Sequence, residues 1–381
     1  MIRTTLAASL LVTASAGALA VQDVYETEQA NFRVETVAQG LNMPWSIGFL
    51  PDGAMIVTER DGGSDGLRII DAEGSLRAEP VAGMPDDVVV NRQGGLFDAI
   101  PHPDFADNRF VYISYAQGTR EAHRTALIRA RLNVDLTALE DVEELFAVDF
   151  DIATNRHHGG KILFDRDGYL WLSLGDGGNH MDEAQDPSNH IGTLIRLNDD
   201  GTVPSDNPFA DGDGGAPEVW SYGHRNIQGL VQHPQTGTIW SHEHGPRGGD
   251  EINIHLESGL NYGWPEITYG INYDGTIITE ERERDGLEQP IWYWNPSIAA
   301  SGMAFYTGDA FPHWQNDVFV GALAGMHVAR LETDGDRVIG QERLLEDLEE
   351  RIRDVRTGPD GFVYITTDSD EGRVLRLVPA E

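Results

Sequence analysis

Arg225, Asn226 and Gln228 stand within one short run, RNIQ, and offer planar groups that hydrogen-bond in several directions at once. An arginine fork matches a carboxylate in both shape and charge. Further along, Gly245 and Pro246 interrupt the strand-like run HEHGPRGGDEIN, so the backbone there can approach a ligand and aim carbonyls at it. Asp250 and Glu251 follow, hard oxygen donors of the kind calcium prefers. Upstream, HHGG carries His157 and His158, and GDGG carries Asp176. A histidine beside glycines, just ahead of a strand, can be held with one ring edge open and serves as a base near neutral pH. Asp176 ends the paired strand of the same unit and can hold one ring nitrogen, fixing the tautomer. The two histidines are adjacent, so at most one faces a site. Late in the chain, RIRD puts Arg351 and Arg353 on one face of an extended segment. With Arg225 they can converge on a multiply charged anion; pairing with surrounding carboxylates is the alternative.

Other chemistries find no support. The chain has no Cys, which excludes thiol nucleophiles and thiolate metal sites. There is no G-x-S-x-G, H-E-x-x-H, G-x-G-x-x-G or Walker sequence. His242-Glu243-His244 invites a zinc reading, but two histidines on one strand face have no third ligand close in sequence.

These residues need a frame that repeats. Six segments share one grammar, an apolar strand, a Pro/Asp/Gly/Asn turn and a second aromatic-rich strand: Pro44–Glu59, Gly94–Ala116, Gly159–Gly175, Gln228–His242, Ser301–Gly321 and Val355–Thr367. Turns such as PDG, DRDG, HPQTG and GPDG are hairpin chemistry. After most of them another short strand follows, at Leu67–Ile70, Ala126–Leu132, Thr193–Leu197, Glu251–Ile254, His327–Leu331 and Val374–Leu377. Repeats of this size with several strands each predict an all-β fold, a six-bladed β-propeller of four-stranded antiparallel blades. Helix is expected only over Arg343–Ile352. The acidic, Gly-rich stretch Ser205–Gly215 reads as a surface excursion, with calcium binding there as the alternative. Propeller ligands sit where the channel opens at one face, and Gln93, His157, Arg225, His244, Ser297, Arg351 and Arg353 fall at positions of that kind.

Residues 1–20 read as an export signal: Arg3, an apolar run from Leu6 to Ala20, and the A-x-A site Ala18-Leu19-Ala20. Residues 21–381 are then one domain, periplasmic or secreted. With 63 acidic against 27 basic residues the net charge is −36, which makes nucleic acid and anionic membranes poor partners. No stretch is expected to insert in a membrane, and the chain is expected as monomer or homodimer.

NRQGGL, HHGGKI, LGDGG, GHRNIQGL, EHGPRGGDEIN, NYGWP, WNPSIAASGMAFY and RIRDV together resemble the soluble quinoprotein glucose and aldose sugar dehydrogenases. The match runs in motif order from about Asn31 to the C-terminus and is nearer the bacterial aldose sugar dehydrogenase branch. The resemblance implies a six-bladed propeller that uses pyrroloquinoline quinone (PQQ) and calcium to oxidise a sugar at its anomeric carbon, releasing a lactone and passing electrons to an unidentified acceptor. It makes His157 the general base and Asp176 its orienting partner. Gln93, Arg225, Asn226, Gln228, His244, Ser297, Arg351 and Arg353 become groups around quinone or substrate. The carbonyls of Gly245 and Pro246 would hold the catalytic calcium, and Glu251 and Tyr262 a second, structural one. Two departures stand out: Ala324 where the family has a lysine near the quinone, and Asn295 where the glucose-specific branch has a tryptophan. A calcium-dependent propeller lactonase and a non-catalytic binding propeller remain as alternatives.

Overall fold

Hairpins on Asp/Gly turns are the unit of this chain. At Pro51–Gly53 the Leu50 N–H donates to Ala54 O at 2.8 Å, and Gly53, at φ +90°, donates back to Leu50 O at 3.0 Å. A side chain at that φ would be strained, so glycine there sets the turn. The computed structural model describes residues 24–149 and 155–380; the expected leader, residues 1–20, lies outside them.

Six antiparallel sheets form a ring of six blades. Blade one holds Pro44–Phe49, Met55–Glu59 and Leu67–Ile70; blade two Leu96–Pro101, Phe110–Gly118, His123–Leu132 and Leu139–Ala147. Blade three is Ile162–Phe164, Leu170–Ser173, Leu194–Leu197 and Val219–Ser221; blade four Ile227–Gln232, Ile239–Glu243, Asp250–His255 and Trp292–Trp294. Blade five is Ala300–Phe305, Val318–Ala322, His327–Thr333 and Val338–Leu344. Blade six joins Ile352–Thr357, Val363–Thr367 and Gly372–Pro379 to an outer strand from the other end of the described chain, Phe32–Leu41. That strand runs antiparallel to Gly372–Pro379, from Phe32 opposite Pro379 to Leu41 opposite Gly372, and closes the ring.

The six-bladed architecture is as expected, with one local difference in blade one and one correction at the expected helix. Blade one has three strands, not four: an isolated bridge from Ile70 to Leu76, with Arg77 and Val81 N–H donating to Ile69 and Leu67 O, takes the fourth place. Gly74 and Pro80 break the segment, and Pro80 has no N–H for a ladder. Arg343–Ile352 is not a helix. Arg343 and Leu344 finish a strand, and one 3-10 turn at Glu346–Leu348 is bracketed by Leu345 and Glu349, both at left-handed φ. Burial of Leu344 and Leu345 in the blade five–six core outweighs helix propensity there. Ser205–Gly215 is a surface loop as expected, pinned by Asn207, whose Nδ2 donates to Arg196 O and Pro217 O.

An apolar cluster fills each blade-to-blade interface: Ile56, Leu96 and Ile113 between one and two, Leu127, Ile162 and Leu172 between two and three, Leu194 and Ile227 between three and four. The ring continues with Trp240, Met303 and Val320, with Phe319, Ile352 and Ile365, and with Ile47, Val57 and Tyr364. Toward the axis a buried charge network crosses three blades. Lys161 Nζ lies 2.8 Å from Asp354 Oδ1 and 3.8 Å from Asp98 Oδ2; Arg356 lies 2.8 Å from Asp98 and 2.9 Å from Asp354. Removing one partner of such a set leaves a buried charge uncompensated, at a cost of about 3–5 kcal/mol.

This frame decides where chemistry can sit. In each blade the innermost strand starts, and the second strand ends, at the same rim of the channel. Residues just before the first strand and just after the second therefore meet on one face.

Candidate active site

Two adjoining clefts open at that rim, of about 430 and 240 Å³, and Gln93 and Tyr273 line both.

The larger cleft carries His157 and Asp176. His157 sits at φ +57°, a left-handed conformation that costs on the order of 1–2 kcal/mol for a residue with a side chain. Its neighbours hold it there. Its N–H donates to Gln93 Oε1 at 2.8 Å; two residues on, Gly159 N–H donates to Asn226 Oδ1 and Gly159 O accepts from Gln228 Nε2, both at 3.1 Å. The loop packs against GDGG so tightly that a Cβ on Gly175 would lie 2.1 Å from His157 O. The same packing brings Asp176 Oδ1 to 2.6 Å from His157 Nδ1. Asp176 Oδ1 also accepts Gly178 N–H at 2.7 Å, and Oδ2 accepts the indole N–H of Trp264 at 2.9 Å.

Electrostatics fix the protonation. Burial, then the positive charge of Arg225, push His157 below its ordinary value, against the pull of Asp176. Burial works against ionising Asp176, but the hydrogen bond and charge of His157, then Arg225, hold it below the usual carboxylate range. The pair is thus a neutral imidazole with Nδ1–H on an ionised carboxylate, leaving the Nε2 lone pair for a ligand proton. That is the arrangement a general base requires.

His158 does not turn wholly away from the site. It is buried, stacks on Phe97 at 5.4 Å between ring centres and walls the smaller cleft, with neither ring nitrogen hydrogen-bonded among the described residues. Burial, then His123 and His157, push it down to about 3.

Cations dominate the smaller cleft. Arg351 Nε lies 2.9 Å from Asp368 Oδ2, Arg353 Nη2 3.3 Å from Asp368 Oδ1, and Arg60 Nη1 3.6 Å from the same oxygen. Burial opposes it, yet Arg353, Arg60 and Arg351 together hold Asp368 down at about 2. Arg353 Nη1 also reaches Gln228 Oε1 at 3.4 Å and Ser301 Oγ at 3.2 Å, while its buried Nε has no partner among the described residues. The imidazole Nε2 of His244, on the same wall, is likewise unpartnered. A cationic surplus with donors left open is the chemistry of an anion site.

Between the clefts runs the Gly245 turn. Arg225 Nη1 donates to His244 O and Gly245 O at 2.7 and 2.8 Å, and its guanidinium lies 5.4 Å from the Trp264 ring centre. Glu243 lies beneath, accepting from the backbone N–H of Arg225 and Asn226 and from His224 Nδ1. Its acceptor role, rather than zinc ligation, accounts for the carboxylate in His242-Glu243-His244. Asp250, expected as a metal donor, accepts from Gly245 N–H, Ser297 Oγ and Ala300 N–H and so shapes the turn. Ser297 is thereby committed to Asp250 and lines neither cleft. Pro246 lines the larger one.

Glu251 sits opposite Glu243 across the blade-four strands and is pushed well up by burial and by that neighbour. The Tyr262 hydroxyl donates to Ile254 O at 2.7 Å. Among the described residues, no three His, Cys, Asp or Glu side chains converge on one point where a metal could sit.

Sequence reasoning overlooked Trp264, Arg60 and Asp368. The signal for the last two is their repeat position: each directly follows the second strand of its blade, or nearly so, as Asp176 and His244 do.

A family model described as glucose/sorbosone dehydrogenase matches residues 41–376. The chain is 44% identical over 354 residues to aldose sugar dehydrogenase YliI of Escherichia coli, covering 92% of this chain and 94% of that one. The structure of the soluble aldose sugar dehydrogenase of E. coli in its apo-form superposes with a TM-score of 0.87 at 43% identity, over 92% of this chain and 100% of that one. The PQQ-bound aldose sugar dehydrogenase of Streptomyces coelicolor superposes with a TM-score of 0.75 at 26% identity, over 92% and 98%. The rim with its histidine–aspartate pair and its arginine cleft is therefore built on the frame of these enzymes, and the chain belongs to the glucose/sorbosone dehydrogenase family.

Proposed function

We propose that this chain oxidises aldose sugars at the anomeric carbon, with PQQ in the arginine-lined cleft and calcium beside it. The observation that carries the reading is adjacency: a neutral His157 with Nε2 open lies next to a cleft whose cations share the Asp368 carboxylate. PQQ bears three carboxylates, and the open Nε of Arg353 with the forks of Arg351, Arg353 and Arg225 fits such a group. Calcium fits the carbonyls of Gly245 and Pro246 only together with an anionic ligand, because no three His, Cys, Asp or Glu side chains among the described residues converge to balance its charge. Glu251, pressed against Glu243, supports a second calcium there.

When bound, PQQ supplies the two-electron hydride acceptor and calcium polarises its quinone oxygen. The chain does the rest. His157 Nε2 takes the proton of the anomeric hydroxyl as the C1 hydride leaves; C1–O becomes a carbonyl and the product is a lactone. Asp176 holds Nδ1–H and stabilises the imidazolium that forms. Gln93, Asn226 and Gln228 keep the His157 loop in place, and Trp264 orients Asp176. The sugar is the substrate, the onward electron acceptor is a separate partner, and residues 1–20 direct export.

The test is titration of the metal-free protein with PQQ and calcium while dye reduction is followed with a panel of aldoses. Reduction that needs PQQ, calcium and sugar together is expected. Lactone hydrolysis with calcium alone, or PQQ binding without sugar-dependent reduction, overturns the proposal.

A further inference from the structure

We infer that Arg60 is a third ligand-binding guanidinium of the smaller cleft and contacts a carboxylate of the bound anion; the inference rests on the PQQ reading above. Arg60 follows the second strand of blade one, is buried, and lines the cleft with Arg351, Arg353 and Gln228. Its Nη1 stands 3.6 Å from Asp368 Oδ1, longer than a hydrogen bond, while Arg351 and Arg353 hold Asp368 at 2.9 and 3.3 Å. Its Nε is taken by Asp61 Oδ1 at 2.8 Å. The end of the fork is therefore only loosely committed. A buried guanidinium with a slack ion pair is stabilised by any anion that displaces water from it. Burial, and Arg60 and Arg351 nearby, already press Arg353 below the usual arginine range despite Asp368, so the cluster gains from added negative charge.

The ring explains why the charge comes from this side. Arg351 and Arg353 begin blade six, which stands between blades five and one. At the rim of blade five the position after the second strand holds Leu323 and Ala324, with no cation to offer. At the corresponding position of blade one stands Arg60. The cleft thus draws its third charge from the opposite neighbour of blade six.

The experiment is equilibrium binding of PQQ and of PQQ trimethyl ester to the full apo protein at fixed calcium, for wild type, Arg60→Gln and Arg60→Lys. Losing one charge-assisted contact weakens binding about 10- to 100-fold. Arg60→Gln should weaken PQQ by that factor and leave the uncharged ester unchanged. Arg60→Lys, which keeps the charge but loses the fork, should recover most of the affinity. Should Arg60→Gln fail to fold, Arg60→Lys decides alone: a loss of a few-fold on PQQ with none on the ester supports the inference. Equal losses on PQQ and ester, in either variant, would show a structural role and overturn it, as would unchanged PQQ binding by Arg60→Gln. A wild type that binds PQQ while the variants match it sinks this inference alone; a wild type that does not bind PQQ sinks the proposed function as well.

Discussion

The Asp176 side chain accepts three hydrogen bonds and donates none, and that count makes Asp176→Asn decisive. Its Oδ1 takes His157 Nδ1–H and Gly178 N–H, and its Oδ2 takes the Trp264 indole N–H. Asparagine brings one oxygen and one NH2. With the oxygen toward His157, the NH2 meets the indole N–H, donor against donor. With the oxygen toward Trp264, the NH2 meets Gly178 N–H, and His157 must accept on Nδ1. The ring proton then sits on Nε2, the atom that has to act as base. Either arrangement leaves a buried donor unmet, at about 1–3 kcal/mol. Both also lose the charge that steadies an imidazolium, at about 1.5–3 kcal/mol. The charge falls on the rate, so kcat at saturating PQQ and calcium should drop about 10- to 100-fold. The pH profile should move too. Burial and Arg225 already place the acid limb below the ordinary histidine value, and Asp176 is what lifts it. Without that lift the limb shifts to lower pH. Trp264→Phe supplies the control. On its own it should lower activity, because Asp176 loses the indole donor while Arg225 keeps only the weaker face of a phenyl ring. In the Asp176→Asn background it removes the clashing indole N–H, frees the asparagine to turn its oxygen to His157, and should raise activity. Wild-type turnover in Asp176→Asn, or a double variant worse than the single, refutes the assignment.

His157→Ala should cost about 10²–10⁴ in kcat while PQQ affinity is kept, and His158→Ala should lose far less; the reverse order, in stopped-flow turnover, would move the base to His158. His158 also sets a pH term in stability. With a folded value of about 3 against an unfolded one of about 6.5, it stays neutral when folded and protonates when unfolded, so stability is full above pH 6.5 and lost as pH falls. From pH 7 to 5 that loss is about 2 kcal/mol, and urea unfolding should show His158→Asn spared it; parallel curves for variant and wild type would contradict the burial argument. Chelating calcium from the loaded enzyme should lower both activity and melting temperature, while Pro246→Ala, which keeps the carbonyl, should change little. Indifference to prolonged chelation would remove calcium from the mechanism.

What could be read in the sequence follows the range of the contacts involved. Hairpins such as Leu50–Ala54 are made by neighbours, and their turns state themselves in Pro, Asp and Gly. The closing strand Phe32–Leu41 pairs with Gly372–Pro379, a contact between the two ends of the described chain that no local pattern announces. Outer strands hide for another reason: Leu139–Ala147 is mostly exposed, so its acidic sequence looks like a loop. The histidine and Asp176 were legible because both lie in one repeat, on either side of one hairpin. Ser297, whose hydroxyl bonds Asp250, is hard to assign because a hydroxyl that reaches a ligand and one that holds Asp250 look alike in sequence.

Arg60 was missed because an arginine after Val-Thr-Glu, in a chain this acidic, looks like a surface ion pair. Its repeat position tells otherwise. The residues that face the clefts in blades one, three, four and five include Arg60, Asp176, His244 and Leu323, and each lies just past the end of a second strand; Asp368, at the same place in blade six, pairs with the arginines of the smaller cleft. The residues types at these places range from arginine to leucine, and the geometry is what they share. Antiparallel pairing brings the start of one strand beside the end of the next, so a ring of such pairs turns a position in the repeat into a position on the rim. A lysine absent from blade five can then be offset by an arginine on blade one, since both places border the same arginine pair on blade six.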